Sequence, residues 1–377
     1  MRFVISALLF LHGLIHLMGF VKPWGFAEVP QLSGPTGRGL GLLWLLTALL
    51  LVIAAVLRAI ERDAWWAPAA LGVVLSQALI LSQWSDARAG TLANVLLAIP
   101  IVVAAATARF HQQDEEHALA LLASAPRTTP AIVTADELAP LPAPVRRWLE
   151  TSGVVGKPRA RTVRLLQRGG MRTSPDAAFM PARATQYFTI DEPGFVWTVD
   201  VTMKGLPVVG RDTFTDGRGH MLIKVGGLIT VADGTGEKFD QGTLLRFLGE
   251  IIWFPSAALS PWLRWEPIDE HSARATMSWK GTTGSATFEF DERGRVKGLF
   301  ARRYFDGKTL EDWRIPITAW KTLRGVEVPT QGGAVWKLAS GDFDYYRWEI
   351  LDVETNTAEL WRAVPEAPHR ARVALAR

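Results

Sequence analysis

The chain of 377 residues contains no cysteine, and this absence excludes several kinds of chemistry at once. Without thiols there is no disulfide framework, no thiolate zinc site, no cysteine nucleophile and no cysteine-ligated iron–sulfur cluster. Common catalytic signatures are missing too: the sequence has no P-loop, no Rossmann fingerprint, no Gly-x-Ser-x-Gly and no His-Glu-x-x-His. We therefore predict no metal and no cofactor, and assign no reaction.

The chain also lacks the concentrated positive charge of a nucleic-acid-binding domain. Its net charge is +4, but residues 1–110 hold seven of the 41 basic and four of the 37 acidic residues. A predicted basic tail at 362–377 holds four more arginines and one glutamate. Residues 111–361 then carry 30 basic against 32 acidic residues, so no nucleic-acid partner is predicted.

Apolar residues are abundant, at 49%, and the longest apolar runs lie in the first 110 residues. Each of four runs is near the ~20 residues that cross a bilayer as a helix. Trp65, Trp66 and Trp84 flank the third run, as interfacial tryptophans do. The sequence predicts a four-helix transmembrane domain over 1–110, with spans at roughly 3–20, 40–60, 65–84 and 91–110.

The basic residues around the spans predict an orientation. Five lie on one side and three on the other: Arg2, Arg58, Arg62, Arg109 and Arg127 against Lys22, Arg38 and Arg88. The positive-inside rule then places both termini in the cytoplasm. No small-x-small cleavage site follows the first run, so we interpret it as a span and not as a cleaved signal peptide. The predicted location is a bacterial inner membrane, with the soluble part in the cytoplasm.

The sequence pattern changes after the fourth span. Residues 111–143 are a predicted linker, and a short helix at Val145–Thr151 is bounded by a proline and a glycine. About eleven short runs of alternating or β-branched residues follow, separated by turn dipeptides such as Asp216-Gly217. Because no βαβ helices intervene, we expect an antiparallel meander within a domain at 144–361.

One helix interrupts these strands. Asp240 is its predicted N-cap, apolar residues from Leu244 to Ile252 recur at helical spacing, and the helix spans about 240–254. About eleven strands would curl and not stay flat. The predicted fold class is therefore an all-α four-helix transmembrane region followed by an α+β domain. Its strongly curved antiparallel sheet, a half-barrel-like meander, carries one helix on its concave face.

Two pairs of polar residues at helical i, i+4 spacing are open to two interpretations each. His12 and His16 on the first span are weak candidate cofactor ligands, but no other span offers a histidine, which favours interhelical hydrogen bonding. Arg246 and Glu250 can bind a polar head group or act in acid–base chemistry. A surface ion pair worth roughly a few tenths of a kcal/mol is the favoured alternative for that pair.

The soluble part is rich in large aromatics, with ten of the 16 tryptophans between Trp197 and Trp361. Core filling is the favoured role, and the alternative is a pocket for an apolar ligand such as a lipid chain. The candidate ligand-binding residues are Tyr187, Trp197, Arg246, Glu250, Trp253, Trp279 and Trp336. Residues 146–172, with eight basic residues against one acid, fit either anionic lipid head groups or a sheet edge blunted by arginine.

Several short stretches carry a family resemblance: Leu141–Leu149 with Gly153–Gly156, Gln186–Phe188 with Phe195–Trp197, Asp216–Met221, Arg246–Glu250 and Trp253–Pro255. Together, over about 140–356, they resemble an uncharacterised bacterial family of membrane-anchored proteins with a β-rich domain of unknown function. The resemblance implies the architecture only. The order of strands and helix is also similar, at the level of fold, to the half-barrels of lipoprotein-carrier proteins.

The function that the sequence favours is ligand binding without catalysis. We expect a membrane-anchored domain that binds an apolar or amphiphilic, lipid-like ligand at the bilayer surface, with no protein partner identified. Two alternatives stay open: a membrane-bound enzyme using Arg246 and Glu250, and a protein-interaction module without a small ligand. A cavity larger than a side-chain void separates the first from the last, and a buried, paired Glu250 facing that cavity favours the enzyme.

Overall fold

A computed structural model describes residues 2–361, and the predicted basic tail at 362–377 lies outside them. The chain divides into two compact units, one up to His111 with the short segment 226–228, and one comprising the rest. The helices are α1 (Arg2–Val21), α2 (Arg38–Ala59), α3 (Trp66–Ser82), α4 (Trp84–Ala87), α5 (Gly90–Ser124), α6 (Ala143–Ser152) and α7 (Glu237–Glu250).

Among the described residues, four helices are long and apolar enough to span a membrane, namely those formed by α1, α2, α3 and α5. Their outward faces are apolar, with Leu11, Ile53 and Val74 exposed. Small residues let the helices approach closely: a Cβ at Gly19 would lie 2.1 Å from the indole of Trp44. The predicted all-α region is confirmed, although α5 continues beyond residue 110 into the predicted linker.

The second unit contains a sheet of 13 strands. The strands are β1 (Thr162–Met171), β2 (Met180–Thr189), β3 (Gly194–Met203), β4 (Leu206–Thr215), β5 (Arg218–Val225), β6 (Ile229–Gly234), β7 (Leu263–Asp269), β8 (Ser272–Trp279), β9 (Thr282–Phe290), β10 (Val296–Tyr304), β11 (Leu310–Leu323), β12 (Val326–Leu338) and β13 (Gly341–Thr355). Every paired neighbour is antiparallel. The predicted meander is confirmed, with β6 and β7 added to it.

The strand order explains why a helix crosses the sheet. It runs β6-β5-β4-β3-β2-β1-β13-β12-β11-β10-β9-β8-β7, so β6 and β7 are the two edges. Between them the chain crosses by α7 and two 3₁₀ turns, and α7 packs against β4, β5, β8, β9 and β10. Lys280 Nζ lies 2.5 Å from Asp216 Oδ1 and joins the β8–β9 turn to the β4–β5 turn. The sheet is therefore curled around α7, as a half-barrel.

The boundaries of α7 differ from the predicted ones. Asp240 is not the N-cap, because the helix begins three residues earlier, after Gly236 at φ +102°. A positive φ of this kind is readily adopted only by glycine. Asp240 instead ties the helix to β5, accepting hydrogen bonds from Gly219 N at 2.7 Å and Arg218 Nη1 at 2.9 Å. At the other end, Ile251–Trp253 forms a 3₁₀ turn and not a continuation of the α-helix.

The arginine-rich stretch is not a sheet edge. It includes β1, which lies at the centre of the sheet between β2 and β13. Its arginines pair with carboxylates of β13: Arg168 Nε lies 2.7 Å from Glu349 Oε2, and Arg164 pairs with Glu354. The edge-strand interpretation is therefore wrong for β1, because cross-strand ion pairs account for the charges of Arg164 and Arg168.

Two packed layers flank the middle of the sheet. On the concave face, Phe188, Phe195, Phe214, Phe247 and Phe254 are fully buried, with neighbouring ring centroids 4.8–6.3 Å apart. We call these five residues the aromatic cluster. On the convex face, the end of α5 packs on β2 and β3 through Ala118, Leu121 and Leu122. These contacts fix the middle strands between two apolar layers.

Candidate functional site

The half-barrel contains a cavity of about 760 Å³. It lies between α7 and the concave faces of β1 to β6 and β10 to β13. Most of its wall is apolar, including Met171, Val201, Ile223, Ile315 and Trp336. The connections after β1 and β10 also border the cavity, through Thr173 and Phe305–Gly307, as do Met203 and Val225, the last residues of β3 and β5. A concave and largely apolar wall of this extent is typical of small-molecule sites.

The cavity results from a change of side-chain size along single strands. On β3, alternate residues face the concave side. The first of them, Phe195, belongs to the aromatic cluster, and then Trp197, Val199, Val201 and Met203 line the cavity. From Val199 onward the strand thus has aliphatic side chains, smaller than the ring of Phe195, where the half-barrel is hollow.

A buried polar network, which we call the polar belt, separates the filled part from the hollow part. Its members are Gln167, Gln186, Asp212, Arg246 and Glu250. Gln186, Trp197 and Asp212 are register partners on β2, β3 and β4, which places them side by side across the sheet.

Arg246 is the centre of the polar belt. Its Nη1 lies 2.5 Å from Asp212 Oδ2 and its Nε lies 2.8 Å from Glu250 Oε1. Gln186 Nε2 donates to the other carboxylate oxygen of Glu250 at 2.7 Å. The guanidinium also stacks over the ring of Trp197, 4.4 Å from the centroid. Both carboxylates are therefore held by one cation that is anchored from several sides.

Gln167 extends the network to the aromatic wall. Its Oε1 accepts hydrogen bonds from Tyr346 Oη at 2.9 Å and from Trp197 Nε1 at 3.4 Å. Its Nε2 donates to Gln186 Oε1 at 3.3 Å. A connected network of this kind fixes the orientation of Trp197 and Tyr346, two side chains of the cavity wall.

The charges of the polar belt do not balance within it, because one guanidinium serves two carboxylates. Burial raises the pKa of Glu250 above its ordinary value, and the nearby Arg246 opposes that effect only in part. Burial alone would lower the pKa of Arg246, but Glu250 and Asp212 outweigh it and raise that pKa. Glu250 is only 9% exposed, so the interpretation of Arg246 and Glu250 as a surface ion pair is wrong.

Five of the seven predicted ligand-binding residues line the cavity: Trp197, Arg246, Glu250, Trp253 and Trp336. Tyr187 and Trp279 do not, which corrects the prediction of one shared pocket. Tyr187 faces the convex side, where its hydroxyl accepts a hydrogen bond from Trp361 N, because strand residues alternate between faces. Trp279 is the last residue of β8 and borders a separate small pocket with Thr189 and Glu192.

Sequence reasoning missed Arg303, which also lines the cavity. Its guanidinium lies over the rings of Trp313, at 5.0 Å, and Trp336, at 5.9 Å. The available signal was its place on β10, where Leu299 and Ala301 share its face and are buried.

The two histidines of α1 make contacts within the helical unit. His12 Nε2 lies 3.0 Å from Ser76 Oγ on α3 and 2.9 Å from Asn94 Oδ1 on α5. His16 Nδ1 bonds the backbone oxygen of His12 at 2.8 Å. Between residues 2 and 361, no group of three or more metal-binding side chains is placed to hold an ion. His12 therefore makes interhelical hydrogen bonds, whereas the bond of His16 stays within α1.

The fold and the site define a class: a curled antiparallel β domain with one helix on its concave face and a ligand-sized cavity beneath it. The chain belongs to the family of unknown function DUF6544, which matches residues 131–348. This agrees with the resemblance predicted for about 140–356.

Two solved structures give distant matches. A DUF1329 family protein from Desulfovibrio piger is 8% identical, with a TM-score of 0.35, over 61% of this chain and 94% of its own. A β-barrel-like DUF1849 protein from Brucella abortus is 11% identical, with a TM-score of 0.23, over 53% of this chain and 99% of its own. Curated proteins gave no match.

Proposed function

We propose that the β domain binds one apolar or amphiphilic, lipid-like ligand in the cavity, and that α1, α2, α3 and α5 anchor it in a bacterial inner membrane. The observation that carries the proposal is the cavity of about 760 Å³ with its largely apolar wall. Small-molecule sites typically measure about 300–1,000 Å³ and are lined mainly by apolar and aromatic side chains.

The size of the cavity argues against a packing defect. Protein interiors are close-packed, and an empty apolar volume destabilises the fold in proportion to its size. The aromatic cluster, which includes residues of the same strands, is close-packed in this way. A hollow next to it is therefore explained better by an occupant, which also makes a protein-interaction module without a small ligand the weaker alternative.

A cavity-filling variant tests this proposal in the full chain, reconstituted in nanodiscs. Ala334 is buried and lines the cavity, so Ala334→Trp places an indole inside it, whereas Val335→Trp on the opposite face of β12 is the matched control. The probe is photoactivatable hexadecanol, with labelled peptides mapped by mass spectrometry. We expect labelling of cavity-wall peptides in the wild type and in Val335→Trp, and loss of at least about tenfold in Ala334→Trp.

Equal labelling of the cavity peptides in all three proteins, or none in the wild type, contradicts the proposal. Urea unfolding of each variant shows whether it is folded. If Ala334→Trp is unfolded, Val201→Phe, which adds a smaller group to the same wall, replaces it.

We propose further that the β domain lies in the cytoplasm. Five basic residues against three across the spans support this orientation. A reporter that is active only in the cytoplasm, fused after Arg377, is expected to give signal, and the same reporter inserted after Val29, in the turn between α1 and α2, is not. The reverse pattern overturns the orientation and leaves the four spans unaffected.

A second candidate function is acid–base catalysis by Glu250. One observation favours it: a buried carboxylate with a raised pKa borders the cavity. Against it, both oxygens of that carboxylate accept hydrogen bonds from protein donors, which fits an anchoring role. Glu250→Gln separates the two, because catalysis predicts unchanged ligand binding with turnover lost, and anchoring predicts weaker binding with a less stable fold.

A further inference from the structure

Arg303 stands apart from the other arginine of the cavity wall. Between residues 2 and 361, its guanidinium has no carboxylate oxygen within 4.0 Å, and its buried Nε has no hydrogen-bond partner. Arg246, by contrast, is paired with two carboxylates. A cation that is held inside an apolar cavity without a counter-ion is costly unless something else neutralises it.

The fold nevertheless holds Arg303 in place. It stacks on Trp313, whose Nε1 is fixed by a hydrogen bond to Tyr345 Oη at 3.1 Å. It also needs the bare backbone of α7 at Gly242, where a Cβ would lie 3.1 Å from the Nε atom. A guanidinium clamped by its face keeps its edge nitrogens available for a planar or tetrahedral oxyanion.

Every carboxylate of the cavity wall is already engaged. The lining side chains carry four cations and three carboxylates: Arg172, Lys238, Arg246 and Arg303 against Asp212, Glu250 and Asp306. Asp212 and Glu250 bond Arg246. Asp306 accepts hydrogen bonds from the backbone N–H groups of Lys308 and Thr309 in its own turn, each at 2.9 Å. None of these carboxylates therefore makes a direct ion pair with Arg303.

The electrostatics agree with this geometry. Burial lowers the pKa of Arg303 from its ordinary value and the positive charge of Arg246 adds to that effect, while Tyr345, Asp212 and Glu250 oppose it only in part. An anion bound beside Arg303 would offset the free-energy cost of burying its charge. Arg303 is the second-to-last residue of β10 and lies close to the connection with Phe305 and Asp306, which borders the cavity. The aliphatic residues of β3 and β5 line the cavity as well.

We propose that Arg303 binds the anionic head of the ligand, so that the cavity takes an amphiphile with one carboxylate or phosphate head and an apolar chain. This inference rests on the proposed function and narrows it from any apolar ligand to an acidic one. Arg303 contributes the charge, Trp313 and Gly242 position it, and the aliphatic walls receive the chain.

The test compares two probes of equal chain length on the full chain in phosphatidylcholine nanodiscs: photoactivatable palmitate and photoactivatable hexadecanol. Unlabelled palmitate, hexadecyl phosphate and inorganic phosphate serve as competitors. The variants are Arg303→Gln and Arg303→Lys, with Arg302→Gln as the matched control. Arg302 lies on the other face of β10, where its exposed guanidinium is 3.5 Å from Asp312 of β11. Because partitioning into the nanodisc is the same for all variants, differences between them report the protein.

We expect the wild type and Arg302→Gln to bind palmitate more tightly than hexadecanol by about tenfold or more, the usual contribution of a charged hydrogen bond. Arg303→Gln should abolish that preference without weakening hexadecanol binding, and Arg303→Lys should keep part of it. Competition by palmitate and by hexadecyl phosphate, with inorganic phosphate inactive, identifies a lipid head group as the anion.

Three outcomes overturn the inference and leave the proposed function standing. They are an equal affinity of the wild type for acid and alcohol, an unchanged preference in folded Arg303→Gln, and full competition by inorganic phosphate alone. Failure of both probes to label any cavity peptide overturns the proposed function itself, and the inference with it.

Discussion

The two parts of the half-barrel are built from the same strands and packed in opposite ways. Around the aromatic cluster, fully buried phenylalanines lie with their ring centroids 4.8–6.3 Å apart. Beyond the polar belt, the same strands enclose about 760 Å³. One part therefore provides stability and the other provides space, and the polar belt marks the change between them.

The largest expected effect is on the free energy of unfolding, when side chains are truncated in the aromatic cluster and in the cavity wall. Phe247→Ala should lower the free energy of unfolding by roughly 3–5 kcal/mol, because it removes a buried ring and leaves a void among tight neighbours. Val199→Ala in the cavity wall should cost only about 1–2 kcal/mol, the transfer of two methyl groups, since the space beside it is already open. Equilibrium urea unfolding of both variants measures the difference, and equal costs would mean that the cavity part is as tightly packed as the cluster.

Sequence reasoning predicted the architecture because it depends on local patterns. Alternation and turn dipeptides gave most of the meander, and the helical spacing after Asp240 gave α7. The two edge strands were not predicted. β6 is short and follows two glycines, and β7 contains Pro267, a residue that sheets tolerate at edges.

The site was less predictable, because it depends on which face each strand residue occupies. Tyr187 and Gln186 are adjacent, yet one lies on the convex face and the other in the polar belt. A register shift in β1 between Leu166 and Gln167 changes that alternation locally. Arg303 and Arg302 are equivalent by composition, and only the position of β10 in the curled sheet distinguishes them.

A loss of stability of similar size is expected when the central arginine of the polar belt is replaced. Arg246→Met keeps much of the side-chain volume but leaves Asp212 and Glu250 buried without their cation, a change that typically costs about 3–5 kcal/mol. Arg303→Met removes a cation that has no carboxylate partner within the described chain, so its cost should be near zero or negative. Thermal unfolding of the two variants, side by side, checks this, and equal destabilisation would show that Arg303 is paired as Arg246 is.

The smallest expected effect is a pH dependence carried by Glu250. Its pKa in the folded chain is raised, so its stabilising contribution is complete below the ordinary value of about 4.3 and is lost as the pH rises through the folded pKa. Each unit of difference is worth about 1.4 kcal/mol. Unfolding free energies measured from acid to neutral pH should fall in the wild type relative to Glu250→Gln. The exposed Glu237→Gln, at the start of the same helix, is the control and should follow the wild type.

Native mass spectrometry of the full chain, released from nanodiscs, tests the central claim that the cavity holds a lipid-like molecule. We expect one adduct of lipid mass on the wild type, retained by Val335→Trp and absent from Ala334→Trp. An adduct carried equally by all three proteins would belong to the helices and not to the cavity, and a wild type without any adduct after native purification would contradict the account.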